Sequence, residues 1–260
     1  MLIIVPVDFS VTSQNAALYA LQMLKGRYED SLMLYHVYYL PEDRERAELT
    51  LEAMKQKLSN LGDIRIECRT EHSGDFADAL SRKARHEGAA AIVMGINERS
   101  KLEQAFLGSD TLKTVGKTLC PVIIVPKDAK FKEVRRTALV CDMANSKKGI
   151  PFVPIKAILT LFRTTLYLLY VSEAHYVSLN DSQIHHCQQL EDQFAEFKPA
   201  SYFLTDNHFQ ETLLSFIKNE QIDLLICIPN QPSFLEKLYM PDTLKQLAFS
   251  SKVPVLAAQA

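Results

Sequence analysis

At 260 residues the chain exceeds the size, about 250 residues, at which one hydrophobic core stops growing, so two domains are expected. Hydrophobic residues at 47% and charged residues at 23% leave no long polar tract that would stay unfolded. The 29 basic and 31 acidic residues are interspersed, which excludes the basic stripe a nucleic-acid partner would need.

The first predicted element is a strand over Leu2 to Val7, ending at Asp8, with Ser10, Thr12 and Ser13 available to cap a helix. Ala17, Leu21 and Leu24 form the apolar stripe of that helix, and Gly26 ends it. A second strand runs from Ser31 to Val37. Ala47, Leu51, Met54 and Leu58 then mark the inner face of a second helix closed by Gly62. Ile64 to Thr70 alternates as a third strand. A third helix, introduced by Gly74, turns Ala77, Leu80 and Ala84 inward and stops at Gly88. The continuous apolar run from Ala89 to Met94 suits a strand buried on both faces. Leu112, Val115 and Leu119 mark a last helix, and Pro121 to Val125 a last strand. This βαβαβαβαβ order, with crossovers long enough for parallel pairing, predicts a doubly wound α/β sheet covered by helices on both faces.

The second half repeats these landmarks at an offset of 133–134 residues. Asp8 falls on Asp142, SLMLYHV from Ser31 on TLYLLYV from Thr165, Phe76 with Leu80 on Phe209 with Leu213, and Ala91–Met94 on Leu224–Cys227. Two tandem copies are therefore expected, over residues 1–130 and 134–260, with a polar seam near Asp128 to Arg135.

In an open parallel sheet ligands sit beyond the carboxyl ends of the strands, where strand order reverses. In the first copy those ends carry Asp8, His36–Val37 and Gly95, while Gly108–Ser109 opens the last helix and so offers free backbone N–H groups to a phosphate. The stretch MGINERSKLEQAFLGS, with thirteen positions from Gly95 to Gly108, resembles the signature G-x2-G-x9-G-[ST] of the universal stress protein family. IIVPVDFS from Ile3, LYHV from Leu34 and CPVIIVP from Cys120 resemble that family's first, second and fifth strands.

The resemblance implies Rossmann-like, adenine-nucleotide-hydrolase-like domains, each a five-stranded mainly parallel sheet of order 3-2-1-4-5. It also implies that ATP or another adenine nucleotide is held with Pro6, Asp8 and Val37 around adenine and ribose and Gly95, Gly108 and Ser109 near the phosphates, with Mg as the nucleotide's companion. Arg99 is a further candidate phosphate contact, its alternative being an exposed surface arginine. The chain departs from the signature at Glu98, which stands at the second glycine. Two like charges about 4 Å apart repel by about 4 kcal/mol at an effective dielectric near 20, so triphosphate affinity should suffer unless Glu98 is merely solvated. In the second copy the glycine positions fall near Ile228, Gln231 and Pro241, and Asp142 alone persists, where a capping role explains it equally well.

Other features point away from catalysis. No G-x-S-x-G, no G-x4-G-K-[ST] and no paired-carboxylate arrangement supplies a nucleophile or base, so no enzyme is expected. Five dispersed cysteines read as buried thiols of a reducing compartment. Neither His185–His186–Cys187 nor any other stretch has zinc spacing. The apolar stretch from Pro151 to Val171 carries Lys156 and Arg163 and does not read as a membrane span. The expected protein is a cytoplasmic stress-response regulator that binds an adenine nucleotide in its first copy, its two copies forming an internal pseudo-dimer with a homodimer open, its protein partner unspecified, and no nucleic acid or membrane among its partners. The alternative is an interaction module of the same family that works by dimerisation and has abandoned nucleotides.

Overall fold

In the computed structural model, residues 1–96, 114, 117–142, 150–172, 179–205, 209–228 and 251–259 are described. The chain divides into two compact units, Met1–Phe131 and Lys132–Ala260.

The first unit runs β1 (Leu2–Pro6), α1 (Val11–Met23), β2 (Ser31–Tyr38), α2 (Arg44–Ser59), β3 (Arg65–His72), α3 (Phe76–His86), β4 (Ala91–Ile96) and β5 (Val122–Pro126). A 3-10 turn at Pro41–Asp43 leads into α2. The strands pair in parallel in the order β3-β2-β1-β4-β5, the predicted 3-2-1-4-5. Order reverses between β1 and β4, which opens a crevice at the ends of those strands. β4 is buried at every position and so are all residues of β5, the signature of strands covered on both faces.

The two faces of β2 and β3 are easily told apart. The Cys68 thiol meets the Leu51 carbonyl of α2 at 3.6 Å, whereas the neighbouring parity carries Tyr35 and Glu71 to Arg82 of α3. Helices therefore lie on both sides of the sheet.

The second unit repeats the plan with β6 (Arg136–Asp142), α4 (Phe152–Phe162), β7 (Thr165–Ser172), α5 (Asp181–Gln193), β8 (Ala200–Thr205), α6 (Phe209–Asn219), β9 (Leu224–Cys227) and β10 (Val255–Ala257). Its strands are also parallel, in the order β8-β7-β6-β9-β10. The long apolar stretch from Pro151 is broken at Arg163, whose backbone takes the left-handed conformation (φ 54°) to end α4 and release β7. An Asn180–Gln183 capping box starts α5, each side chain bonding the other's backbone N–H. No described helix is long and apolar enough to cross a membrane.

Three expectations are corrected. Leu119 is not an inner position of a helix: it lies in a bend and is 73% exposed, and the buried pair with helical spacing is Thr114 and Thr118. Leu112 and Val115 lie outside the described residues. The stripe of α1 is wider than Ala17, Leu21 and Leu24, since Ala16, Tyr19, Ala20 and Met23 are buried too, as befits a helix enclosed on much of its circumference. Of the five cysteines, Cys141, Cys187 and Cys227 are buried and Cys68 and Cys120 only partly so.

Candidate functional site

The site grows from a mismatch of strand lengths. β1 stops at Pro6, opposite Tyr35, while β2 continues to Tyr38. Val7 makes one last ladder bond, its N–H donating to the Tyr35 carbonyl at 2.8 Å. Its own carbonyl is then taken by the His36 ring, Nδ1 lying 2.6 Å away. Alternate residues of a strand aim their backbone groups at the same neighbour, so Val37 directs its N–H and carbonyl beyond the end of β1.

The turn after β1 is fixed by its polar residues. Ser10 caps α1, its hydroxyl accepting the Ser13 N–H at 3.2 Å. Asp8 in turn accepts from the Ser10 N–H at 3.1 Å and from the Ser10 hydroxyl at 2.6 Å, both through Oδ1. This leaves Oδ2 of an exposed carboxylate uncommitted among the described residues. Between them Phe9 is held at φ 66°, a conformation that costs an ordinary residue about 1 kcal/mol or more. Its ring is thereby laid against His36, with centroids 4.6 Å apart and planes tilted by 31°.

The other wall depends on Gly95. A Cβ there would stand 2.5 Å from the Thr12 carbonyl oxygen, so only glycine lets β4 pass this close to the start of α1. Together these elements enclose a cleft of about 420 Å³, within the ordinary range for a small-molecule site. Pro6, Asp8, Val37 and Gly95 all line it. Arg99, Gly108 and Ser109 lie outside the described residues, as does Glu98.

The cleft holds more than those four. Phe9, His36, Tyr38 and Tyr39 supply aromatic walls, and Phe76 of α3 adds another ring. Tyr38 stacks on His72 at 5.5 Å, and His72 Nε2 donates to the Tyr39 carbonyl at 3.0 Å, which steadies the rim. Arg46 of α2 is the cleft's cation and makes no ion pair among the described residues, while Asp43 joins Asp8 as an anion. The dense aromatic run HVYYL after β2 was the available signal for these walls. Arg46 carried none, because it reads as an ordinary exposed helix charge.

Behind the cleft, on the α3 face, lies a polar cluster. The buried Tyr35 hydroxyl donates to Glu71 Oε2 at 2.7 Å, and Arg82 pairs with the other oxygen. Burial, reinforced by the Glu71 charge, pushes the Tyr35 hydroxyl well above its ordinary value. Burial also pushes the Glu71 carboxyl up, but the hydrogen bonds from Tyr35 and Arg82 and the charges of Arg82 and Lys83 outweigh it and hold Glu71 below the usual carboxylate range.

The remaining candidates carry little chemistry. A shallow hollow of about 510 Å³ between α2 and β3 contains Glu45, Glu48 and Glu52 beside Cys68, whose thiol is pushed up to about 11 by burial and by Glu52. Such a thiol is a poor nucleophile. Among the described residues no cluster of three or more His, Cys, Asp or Glu is placed to hold a metal, and His185 Nε2 meets the Gln189 side chain at 3.1 Å instead. In the second unit Ile228, buried, occupies the place of Gly95, while Gln231 and Pro241 lie outside the described residues.

Residues 1–126 match the profile of the universal stress protein family. No curated protein matches the chain in sequence. Among solved structures, a universal stress protein from Archaeoglobus fulgidus DSM 4304 aligns with a TM-score of 0.69 at 16% identity, covering 99% of this chain and 96% of that one. A protein of the same description from Pseudomonas aeruginosa UCBPP-PA14 aligns at 0.66 and 13% identity over 99% and 92%. The cytoplasmic domain of a prokaryotic cation chloride cotransporter also aligns, at 0.56 and 11% identity over 98% and 93%. At these identities the likeness is one of fold. The family match over residues 1–126 and the strand order that both units share lead to one assignment: the first unit is a universal stress protein domain, and a second unit of the same topology follows it in tandem.

Proposed function

We propose that the first unit is a receptor for an adenine nucleotide of low charge and that the protein acts as a stress-response regulator rather than an enzyme. The observation that carries this reading is the cleft itself: Pro6, Asp8, Val37 and Gly95, drawn from three strand ends, line one cavity of about 420 Å³ at the point where strand order reverses. The residues fit the ligand class. The overhanging backbone of Val37 can meet the donor and acceptor edge of a base, aromatic rings can sandwich it, and the uncommitted oxygen of Asp8 can accept ribose hydroxyls.

The charge of the lining sets the preference. With Asp8 and Asp43 against Arg46 as the one Lys or Arg among the described lining residues, the cleft favours a nucleoside monophosphate over a triphosphate, and Glu98 in the sequence adds a further anion to the glycine signature. Calorimetric titration with AMP, ADP and ATP tests this. Saturable heat, strongest for AMP, is the expected result. No heat and no competition up to about 1 mM, a binding free energy weaker than about −4 kcal/mol, would overturn it.

A second reading is favoured by Glu98 together with the filled position at Ile228: the chain is an interaction module that has given up nucleotides. Glu98→Gly separates the two. Gain of ATP binding by a protein that otherwise binds no nucleotide supports the module, and binding by the unaltered protein rejects it.

A further inference from the structure

His36 lies in the cleft wall with its ring bonded to the Val7 carbonyl. That bond fixes its chemistry. A carbonyl oxygen can only accept, so Nδ1, 2.6 Å from it, carries the imidazole proton. In the neutral ring Nε2 is then an acceptor, and it has no partner among the described residues. Half-buried in the cleft wall, it is the polar atom that the ring has left to offer a ligand.

A second, independent feature bears on the same ring. Phe9 accepts the left-handed backbone, φ 66°, between Asp8 and Ser10, and its ring lies 4.6 Å from the imidazole. Strain of this kind persists only where surrounding structure imposes it, and here the Asp8–Ser10 hydrogen bonds do so. The consequence is an imidazole pinned at two places, by a hydrogen bond at Nδ1 and by an aromatic face, with one lone pair left to meet a ligand.

We infer that His36 is a specificity-determining residue for the base, selecting purines that carry an exocyclic amine at C6 over those that carry an oxygen there. This rests on the nucleotide reading of the cleft and adds the group that reads the base. A 6-amino purine offers an N–H to Nε2. A 6-oxo purine brings an oxygen lone pair against the Nε2 lone pair, and a purine with nothing at C6 leaves Nε2 without its bond. Sites built around a hydrogen-bonding group reject analogues that lack the partner more sharply than apolar pockets reject a change of size.

The test is a titration series at pH 8 with AMP, purine riboside monophosphate and IMP, on the full chain and on two variants. His36→Phe keeps an aromatic ring against Phe9. His36→Asn keeps an amide able to donate to the Val7 carbonyl. For the unaltered protein, AMP binds most tightly, purine riboside monophosphate less so, and IMP weakest, with AMP over IMP by about tenfold or more. In both variants the AMP to IMP ratio falls by about fivefold or more, whatever preference remains coming from the Val37 backbone.

The two readings fail in different ways. If none of the three ligands binds the unaltered protein, the nucleotide reading falls and this inference with it. If AMP binds but IMP or purine riboside monophosphate binds equally well, or if either variant keeps the tenfold preference, His36 does not read the base and the nucleotide reading stands. Thermal melting of each variant checks that it is folded, and the loss of the AMP preference in a folded variant is what distinguishes reading by His36 from reading by the Val37 backbone, whose preference both variants would keep.

Discussion

The two units answer the same architectural problem with different chemistry. Where the second strand, third strand and third helix of the first unit meet, Tyr35, Glu71 and Arg82 form a hydrogen-bonded polar cluster. In the second unit the same junction of β7, β8 and α6 holds three rings, with Tyr167 stacked on Tyr202 at 5.5 Å and Phe216 set edge-on to Tyr202 at 5.0 Å. On the opposite face His36 lines the cleft, whereas its counterpart Tyr170 is fully buried, packed on Phe203 at 5.2 Å with its hydroxyl 3.4 Å from the Cys187 carbonyl. At Gly95 the Thr12 backbone takes the place of a side chain, whereas the matching position of the second unit carries the buried side chain of Ile228. The difference teaches that a duplicated sheet keeps its strand order as long as each junction is filled, by polar pairing or by rings, and that room for a ligand has to be maintained by specific residues.

The sharpest way to break the comparison is to exchange the fillings at the β4 and β9 ends. Gly95→Ile forces side-chain atoms into the Thr12 backbone and should destabilise the first unit by about 3 kcal/mol or more. Ile228→Gly should cost the second unit about 2–5 kcal/mol through the cavity it leaves. Hydrogen exchange resolved along the chain checks both. Loss of protection confined to residues 1–131 in the first variant and to 132–260 in the second is expected, and equal protection everywhere would contradict the packing argument.

Next in size is the polar cluster. Glu71→Leu leaves the buried Tyr35 hydroxyl without an acceptor, which should cost about 1–3 kcal/mol. Adding Tyr35→Phe should recover most of that loss by making the junction resemble the second unit. Arg82 is 57% exposed and returns to water, so its share is small. Denaturant midpoints of the two singles and the double give the coupling, and simple additivity would show that the hydroxyl and carboxylate are not interdependent.

The same cluster predicts a pH dependence in the first unit. Because Glu71 is held below the ordinary carboxylate value in the folded state, it binds a proton less readily there than when unfolded. Its contribution is thus fully present above the unfolded value, about 4.3, and is lost as pH falls through the folded one. Tyr35 works at the other end, since its raised value means that unfolding releases a proton once pH exceeds about 10, and stability declines from there. Acid and alkaline melts of Glu71→Leu and Tyr35→Phe should each lose one limb of this profile. An unchanged profile in either variant would contradict the assignment.

The smallest effect separates the two conserved strand-end carboxylates of the repeat. Asp8→Ala should weaken AMP binding by about tenfold, close to 1.4 kcal/mol, whereas Asp142→Ala should leave it within error. Equal effects at the two positions would mean that the units share ligand binding.

Most of this fold was legible in the sequence. The unbroken apolar run that became β4, the capping serine before α1 and the glycine stops each have a local physical cause, and the repeat extended the reading to the second unit. Leu119 was misread because a leucine at helical spacing looks inward until Thr114 and Thr118 are found to hold the buried side. Of the residues that line the cleft, Asp8, Val37 and Gly95 could be named because strand ends are where ligands collect, and Pro6 only through the family resemblance. Phe9 and Arg46 could not, since periodicity reports which side of an element is buried and says nothing of where two elements leave a hollow.

The early end of β1 has one more consequence. A purine edge bonded to the free backbone of Val37 would take the place of the next residue that β1 does not supply, so the ligand would continue the sheet as a strand residue does. Binding should then slow amide exchange along β2 and at the β1–β2 junction as well as inside the cleft. Under the proposed function the unit would thus be completed by its ligand, and the tightness of a few sheet hydrogen bonds would become a readout of nucleotide supply.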